Sequence, residues 1–230
     1  MKLDQIKAVS FDLDGTLIDS GPDLSLAINL MLEELNRDTF DMALIHQWVG
    51  NGVPMLVKRA LSGSEFVAND LSDTLYEDAK AKFDRLYAQN LCVNTKPYDG
   101  VVETLQWLQT QNLPLAVVTN KPFDFTSPLL EQLGLSHYFD VVLGGDSLEK
   151  RKPDPFPLQY VLEKRQLNPE QMLMVGDSRN DILAAKAAGC PSIGVTYGYN
   201  YGVPIQESEP DWAIDQFDSI QNILIHPSVM

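Results

Sequence analysis

Short apolar runs recur along the chain, and most end on a small or acidic polar residue. The run at 6–11 leads into Asp12, 115–118 into Thr119 and Asn120, 141–143 into Gly144, Gly145 and Asp146, and 172–175 into Gly176 and Asp177. Weaker runs lie at 192–195 and 212–214. Runs this short and continuous suit strands buried on both faces of a parallel sheet. Between most of them the spacing becomes helical. Val101, Val102, Leu105 and Leu108 mark one apolar stripe; Leu129, Leu130 and Leu133 mark a second, stopped by Gly134. Phe156, Tyr160 and Val161 mark a third, and 182–188 a fourth, stopped by Gly189. Strands alternating with helices predict an α/β fold, a Rossmann-like parallel sheet with right-handed crossovers.

One interval breaks this rhythm. Between Leu17 and about Thr95 no strand pattern is found. Leu24, Ile28, Met31, Leu32 and Leu35 follow the helical spacing of three and four; Leu44, Ile45 and Trp48 suggest a second helix, and 53–61 and 71–90 two more. The expected organisation is a core of residues 1–17 and 96–230 carrying an inserted small helical cap domain at 18–95, with hinges near 17–20 and 91–97.

Composition narrows the chemistry. The 230 residues are 44% hydrophobic and 21% charged, a soluble globular balance, with a net charge of -15. That charge argues against a nucleic-acid partner, which requires a basic face. An anionic ligand would need positive charge concentrated locally, as by a divalent cation and a lysine or two. Cys92 and Cys190 form no CxxC pattern, which suits a reducing compartment. Residues 1–15 carry Asp4, Asp12 and Asp14 and lack the apolar stretch of a signal peptide, and no run is long enough to span a membrane. The expectation is a cytoplasmic protein with no membrane partner, a monomer or a homodimer.

Parallel sheets bind ligands beyond the carboxyl ends of their strands. That rule selects Asp12, Asp14, Thr119, Asn120 and Asp177. An aspartate after a strand also serves as a turn former or helix cap. Three carboxylates at one sheet edge would repel one another, and Mg2+, with its preference for hard oxygen ligands, is the simplest neutralising group. In an extended segment the spacing of Asp12 and Asp14 places both side chains on one face.

Asp12 and Asp14 lie in the string Asp12-Leu13-Asp14-Gly15-Thr16, which random composition would produce in roughly a few per thousand chains of this length. It resembles the first motif of the haloacid-dehalogenase superfamily. Thr119-Asn120 resembles the second motif, Lys152-Pro153-Asp154-Pro155 the third, and the segment from Gly176-Asp177 to Asn180-Asp181 the fourth. The four follow in order and cover nearly the whole chain. The resemblance implies a phosphatase with Asp12 as covalent nucleophile, which splits hydrolysis into two steps through an aspartyl-phosphate. It implies Asp14 as the group that protonates the leaving oxygen and later activates water. It implies Mg2+ held by Asp12, the main-chain carbonyl of Asp14, and Asp177, with Asp181 orienting a ligand or serving as a first-turn helix acid. Thr119 and Asn120 would donate to phosphate oxygens, and Lys152 would offset charge on the transferring group.

The helical insertion resembles the small caps of this superfamily, which exclude water and choose the substrate. Within it, Trp48-Val49-Gly50-Asn51-Gly52 resembles the cap segment of bacterial phosphoglycolate phosphatases, as does 11–20. The favoured substrate is a small phosphorylated metabolite, 2-phosphoglycolate, with Asn51, Gly52 and the start of a helix at Val53 receiving its carboxylate and Lys58 or Arg59 adding positive field. A plain turn between cap helices accounts for the same glycines. A hexose-phosphate mutase, pyrophosphatase or nucleotidase would share the core motifs; a dehalogenase would need neither Asp14 nor Asp177. A non-catalytic binding protein is disfavoured by the presence of every core residue. Gly198, Asn200, Tyr201 and Gly202 form a further loop for which the sequence suggests no mechanism.

Overall fold

The computed structural model describes residues 5–225; residues 1–4, with Asp4, and 226–230, the two ends of the expected core, lie outside them. The central sheet contains β1 (Ala8–Phe11), β4 (Leu115–Val118), β5 (Phe139–Leu143), β6 (Met172–Gly176), β7 (Ser192–Val195) and β8 (Trp212–Ile214). All six strands are parallel, in the order β5-β4-β1-β6-β7-β8. Successive side chains alternate between faces. Val9, Phe11, Leu115, Val117, Leu173 and Val175 enter one apolar cluster. Ala8, Ala116, Val118, Met172 and Met174 enter another. Helices α5 (Val101–Thr110), α6 (Phe123–Gln132) and α9 (Ser219–Ile225) cover the first face, and α7 (Phe156–Arg165) and α8 (Arg179–Ala188) the second. Both faces are therefore dry, which is why these strands read as continuous apolar runs. In α7 the buried stripe is Leu158, Val161 and Leu162; Tyr160, expected on that stripe, is exposed.

The chain winds outward from β1 through β4 to β5, then returns past β1 to β6. This reversal opens the ligand crevice of doubly wound sheets at the carboxyl ends of β4, β1 and β6.

Between β1 and β4 lie four helices: α1 (Gly21–Glu34), α2 (Met42–His46), α3 (Val53–Ser62) and α4 (Asp73–Gln89). Leu24, Ile28, Met31 and Leu32 of α1 are buried as their spacing predicts, whereas Leu35 lies just past its end and is half-buried; Phe83 and Tyr87 of α4 pack into the same core. The second helix is shorter than its apolar pattern suggests: Trp48 lies beyond its end and Leu44 is partly exposed. Trp48 is nevertheless buried, with its ring edge-on to Phe40. An unexpected pair of strands joins the helices to the sheet. β2 (Ile18–Asp19) pairs antiparallel with β3 (Lys96–Pro97) at the two crossings. Strands of two residues carry no readable alternation. Beside this ribbon the buried Asp23 carboxylate accepts hydrogen bonds from the main-chain N–H groups of Val93, Asn94 and Thr95 and from the Thr95 hydroxyl. Burial pushes its carboxyl up, but these donors outweigh burial and hold it below the ordinary value.

Candidate active site

Asp12 follows β1, Thr119 and Asn120 follow β4, and Asp177 follows β6, so three adjacent strand ends deliver them to one crevice. Past Phe11 the chain does not stay extended. The Leu13 carbonyl accepts from the N–H groups of Thr16, Leu17 and Ile18, closing a tight loop. Gly15 in this loop has φ 84°, and a Cβ there would collide with the Asp177 carboxylate. Asp12 and Asp14 therefore do not share the face of one strand, as their spacing suggested. The loop turns back, and both line the same cavity.

Asp12, Asp177 and Asp181 each offer a carboxylate oxygen within 4.8 Å of the others. Lys152 Nζ lies 2.9 Å from Asp12 Oδ1 and 2.5 Å from Asp181 Oδ1. These are ion pairs by distance only, and both oxygens lack an angled hydrogen-bond partner. Burial first, and then the Asp181 charge, lift the Asp12 carboxyl to about 6 despite the opposing pull of Lys152. Burial, Asp12 and Asp181 push Asp177 well above the usual carboxylate range. Burial disfavours the charged form of Lys152, but Asp12 and Asp181 outweigh it, so the ammonium stays charged. Three buried carboxylates facing one ammonium leave negative charge uncompensated. The all-oxygen donor set of three clustered carboxylates, with one ammonium to offset them, fits a hard divalent cation.

Asp181 is a first-turn acid of α8 and also faces Lys152. Its Oδ2 accepts from the Ser178 N–H at 3.0 Å and the Ser178 hydroxyl at 2.7 Å at the head of α8, while Oδ1 faces Lys152. Thr16 donates to Asp177 Oδ1 at 3.2 Å, and the Tyr199 N–H donates to Asp177 Oδ2 at 2.7 Å.

Asp14 has different company. Its Oδ1 accepts from the Ser20 hydroxyl at 2.5 Å, and Lys121 Nζ stands 3.1 and 3.2 Å from its two oxygens. Lys121 also donates to the Tyr87 hydroxyl of α4 at 2.6 Å. Burial pushes the Tyr87 phenol up to about 12, so it is neutral. Lys121 was not selected from the sequence. Its position two residues after Thr119, at the end of the same strand, is the local signal that marks it.

The remaining expected residues divide. Thr119 lines the cavity and its hydroxyl accepts from the Lys121 N–H. Asn120 lines it too, but its amide donates to the Lys152 carbonyl at 2.9 Å and the Gly50 carbonyl at 3.4 Å, and does not stand free for a phosphate. Gly50 and Gly52 face the cavity with Leu24, Val49, Val53 and Leu56. Asn51 is not among the lining residues. Its Oδ1 accepts from the Tyr201 hydroxyl and from Asn180 Nδ2, each at 2.8 Å. Lys58 lies over the Tyr76 ring, and Arg59 donates to the Trp48 carbonyl. Lys58 is engaged within the inserted helices, Arg59 also reaches the ring of Tyr201, and neither lines the cavity.

The loop without a sequence-derived role now has contacts. The Tyr201 ring has the guanidinium groups of Arg59 and Arg179 within 5.6 and 5.4 Å of its centroid. Its hydroxyl meets Asn51 and Asn180. Tyr199 receives the Gly21 N–H and donates to Asp19 at the cap crossing. A Cβ at Gly198 would strike Asp177, so the loop's close approach requires glycine there.

Known proteins resemble the chain over nearly its whole length. Residues 9–195 match the family model described as haloacid dehalogenase-like hydrolase. The chain is 48% identical over 220 residues to a phosphoglycolate phosphatase of Colwellia psychrerythraea, covering 96% of this chain and 97% of that one. It is 45% identical over 221 residues to a phosphoglycolate phosphatase of Haemophilus influenzae, covering 96% and 99%. A crystal structure of a predicted phosphoglycolate phosphatase from Haemophilus somnus superposes with a TM-score of 0.89 at 44% identity, covering 95% of this chain and 98% of the other. With the four motifs converging on one crevice and most of its length matched, this chain belongs to the haloacid dehalogenase-like hydrolases.

Proposed function

We propose that the protein is a Mg2+-dependent phosphoric monoester hydrolase that acts on 2-phosphoglycolate through an aspartyl-phosphate. The observation that carries this reading is the pairing of two differently surrounded aspartates on one cavity: Asp12 beside Asp177, Asp181 and Lys152, and Asp14 beside Ser20 and Lys121. The near full-length likeness to phosphoglycolate phosphatases supports the substrate.

In this reading Asp12 attacks phosphorus and carries the phosphoryl group. Asp14 gives a proton to the departing oxygen, then takes one from the water that hydrolyses the acyl phosphate. Lys152, held by Asp181, offsets charge building on the transferring group, and the Thr119 hydroxyl binds a phosphate oxygen. Asn120 positions both the Lys152 main chain and the cap loop at Gly50. Asp12, Asp177 and the main-chain carbonyl of Asp14 would hold Mg2+, which when bound offsets the combined charge of carboxylates and phosphate. Residues 18–95 act as the cap and 1–17 with 96–230 as the core. Asn51 is best read as a strut between cap and core.

Among the described residues no helix is long and apolar enough to cross a membrane. A cytoplasmic enzyme handling a small metabolite, as monomer or homodimer, fits that fact and the acidic composition. The direct test is a screen of small phosphate esters with Mg2+ and with excess chelator. The expected result is fastest turnover on 2-phosphoglycolate, abolished by EDTA. Full activity in EDTA would overturn the metal, and a hexose phosphate or pyrophosphate turned over faster would overturn the substrate.

A further inference from the structure

We propose that Lys121 is the specificity-determining residue of this site: its ammonium receives the carboxylate of the leaving group. The inference rests on the 2-phosphoglycolate reading and names the group that recognises the substrate's second charge. A carboxylate entering this cavity needs a cation or a set of free donors. The side chains of the cap wall are apolar: Leu24, Val49, Val53 and Leu56. The start of α3 is poorly equipped, because Pro54 in its first turn has no N–H and the Asn51 side chain is engaged outside the cavity. Lys152 is held between Asp12 and Asp181, where the phosphoryl chemistry needs it. Among the described residues that line the cavity, Lys121 is the one side chain with a positive charge.

Its position suits the task. Lys121 Nζ is 3.1 Å from Asp14 Oδ1, the group proposed to meet the ester oxygen. In 2-phosphoglycolate the carboxylate carbon is two bonds from that oxygen, so an ester oxygen at Asp14 brings the carboxylate within reach of Lys121. The ammonium is buried and held from the cap side by the Tyr87 hydroxyl at 2.6 Å. Tyr87 is itself packed against Phe83 and, edge-on, against Phe125 of α6. A cation fixed on both sides in a dry wall discriminates, because a carboxylate on the leaving group adds a charge-assisted hydrogen bond to it that a neutral leaving group does not supply.

The test compares two small esters that differ in charge, 2-phosphoglycolate and ethyl phosphate, in the wild-type protein and in Lys121→Met, Lys121→Gln and Lys121→Arg. Wild type should prefer 2-phosphoglycolate. In Lys121→Met and Lys121→Gln that preference in kcat/KM should fall roughly 10- to 100-fold, the scale of one charge-assisted hydrogen bond, and Lys121→Arg should retain most of it. Both esters will lose some rate, because Lys121 also touches Asp14; the ratio is the readout. A second measurement needs no turnover. Competitive inhibition by 3-phosphonopropionate should exceed that by propylphosphonate in wild type and lose its advantage in the same variants. If Lys121→Met does not fold, Lys121→Gln against Lys121→Arg decides. Equal losses on both esters, or a preference that survives in Lys121→Met and Lys121→Gln, would overturn the proposal. A wild-type enzyme with no preference for the carboxylate would instead overturn the substrate reading on which it rests.

Discussion

The floor and the roof of the cavity are built by opposite rules. The floor belongs to the sheet and is crowded with charge: Asp12, Asp14 and Lys121 line it, with Asp177, Asp181 and Lys152 directly behind. The roof belongs to the inserted helices and offers only aliphatic side chains and two glycines. Charged groups must be held to fractions of an ångström by partners that are themselves fixed, and strand ends in a buried parallel sheet supply that rigidity. An apolar roof can shift or repack with little electrostatic cost, and it removes water from the charges below. The floor therefore suits chemistry, and the roof suits size and exclusion. The charge that selects a substrate would come from the floor as well.

The largest effect should come from the floor. Asp12→Asn removes the nucleophile while keeping shape, so turnover should fall by more than roughly 10,000-fold and no phosphoenzyme should form. Acid-quench trapping followed by peptide mapping is the check; label on any other residue would break the assignment. Asp14→Asn should be milder, roughly 100- to 10,000-fold in kcat, because it removes proton transfer and leaves phosphoryl attack possible. The loss should be smaller for p-nitrophenyl phosphate, whose leaving group needs no proton. Equal losses on good and poor leaving groups would mean that Asp14 only orders its loop.

The same asymmetry governs what could be read from sequence. The floor is written in short contiguous strings: Asp12 and Asp14, Thr119 and Asn120, and Asp177 with Asp181 each sit at or near a strand end, where topology fixes their meeting place, and Lys152 lies in the loop that leads into α7. Lys121 was within reach of that logic. The roof and the cross-braces are not written locally. Asn51 lies in a segment whose resemblance points it at the substrate, yet the partners of its side chain, Asn180 and Tyr201, lie far along the chain. Nothing near Tyr87 in α4 says that its hydroxyl meets a lysine of the core. The β2–β3 ribbon is too short for periodicity to register.

The junction between the two parts makes an intermediate test. Asp23→Asn replaces a buried carboxylate that accepts several donors, and should lower stability at neutral pH by about 2 kcal/mol. For a chain of this length that is a Tm shift of roughly 4–8 °C. The pH dependence has a definite sign. The folded carboxyl sits below its ordinary value, so its contribution is fully present above about pH 4 and is lost as pH falls through the folded value. The gap between wild type and Asp23→Asn should therefore narrow in acid. A gap constant from pH 7 to pH 3 would mean that the variant acts through packing.

The smallest expected effect separates holding the roof from reading the substrate. Tyr201→Phe keeps the ring between Arg59 and Arg179 and removes only the hydroxyl that meets Asn51 and Asn180. Two neutral, part-buried hydrogen bonds are lost, and Asn180 retains Asn51 Oδ1 and the Gly50 carbonyl as acceptors. The net cost should be about 1 kcal/mol, or roughly fivefold in kcat/KM. Because the hydroxyl braces the loop from behind Gly50 and does not itself line the cavity, the loss should be the same for 2-phosphoglycolate and ethyl phosphate. A change at Lys121 alters the ratio of the two, whereas a change at Tyr201 should move both together. If Tyr201→Phe instead lowered 2-phosphoglycolate turnover selectively, the brace would be transmitting substrate charge through Asn51, and the roof would share in recognition after all.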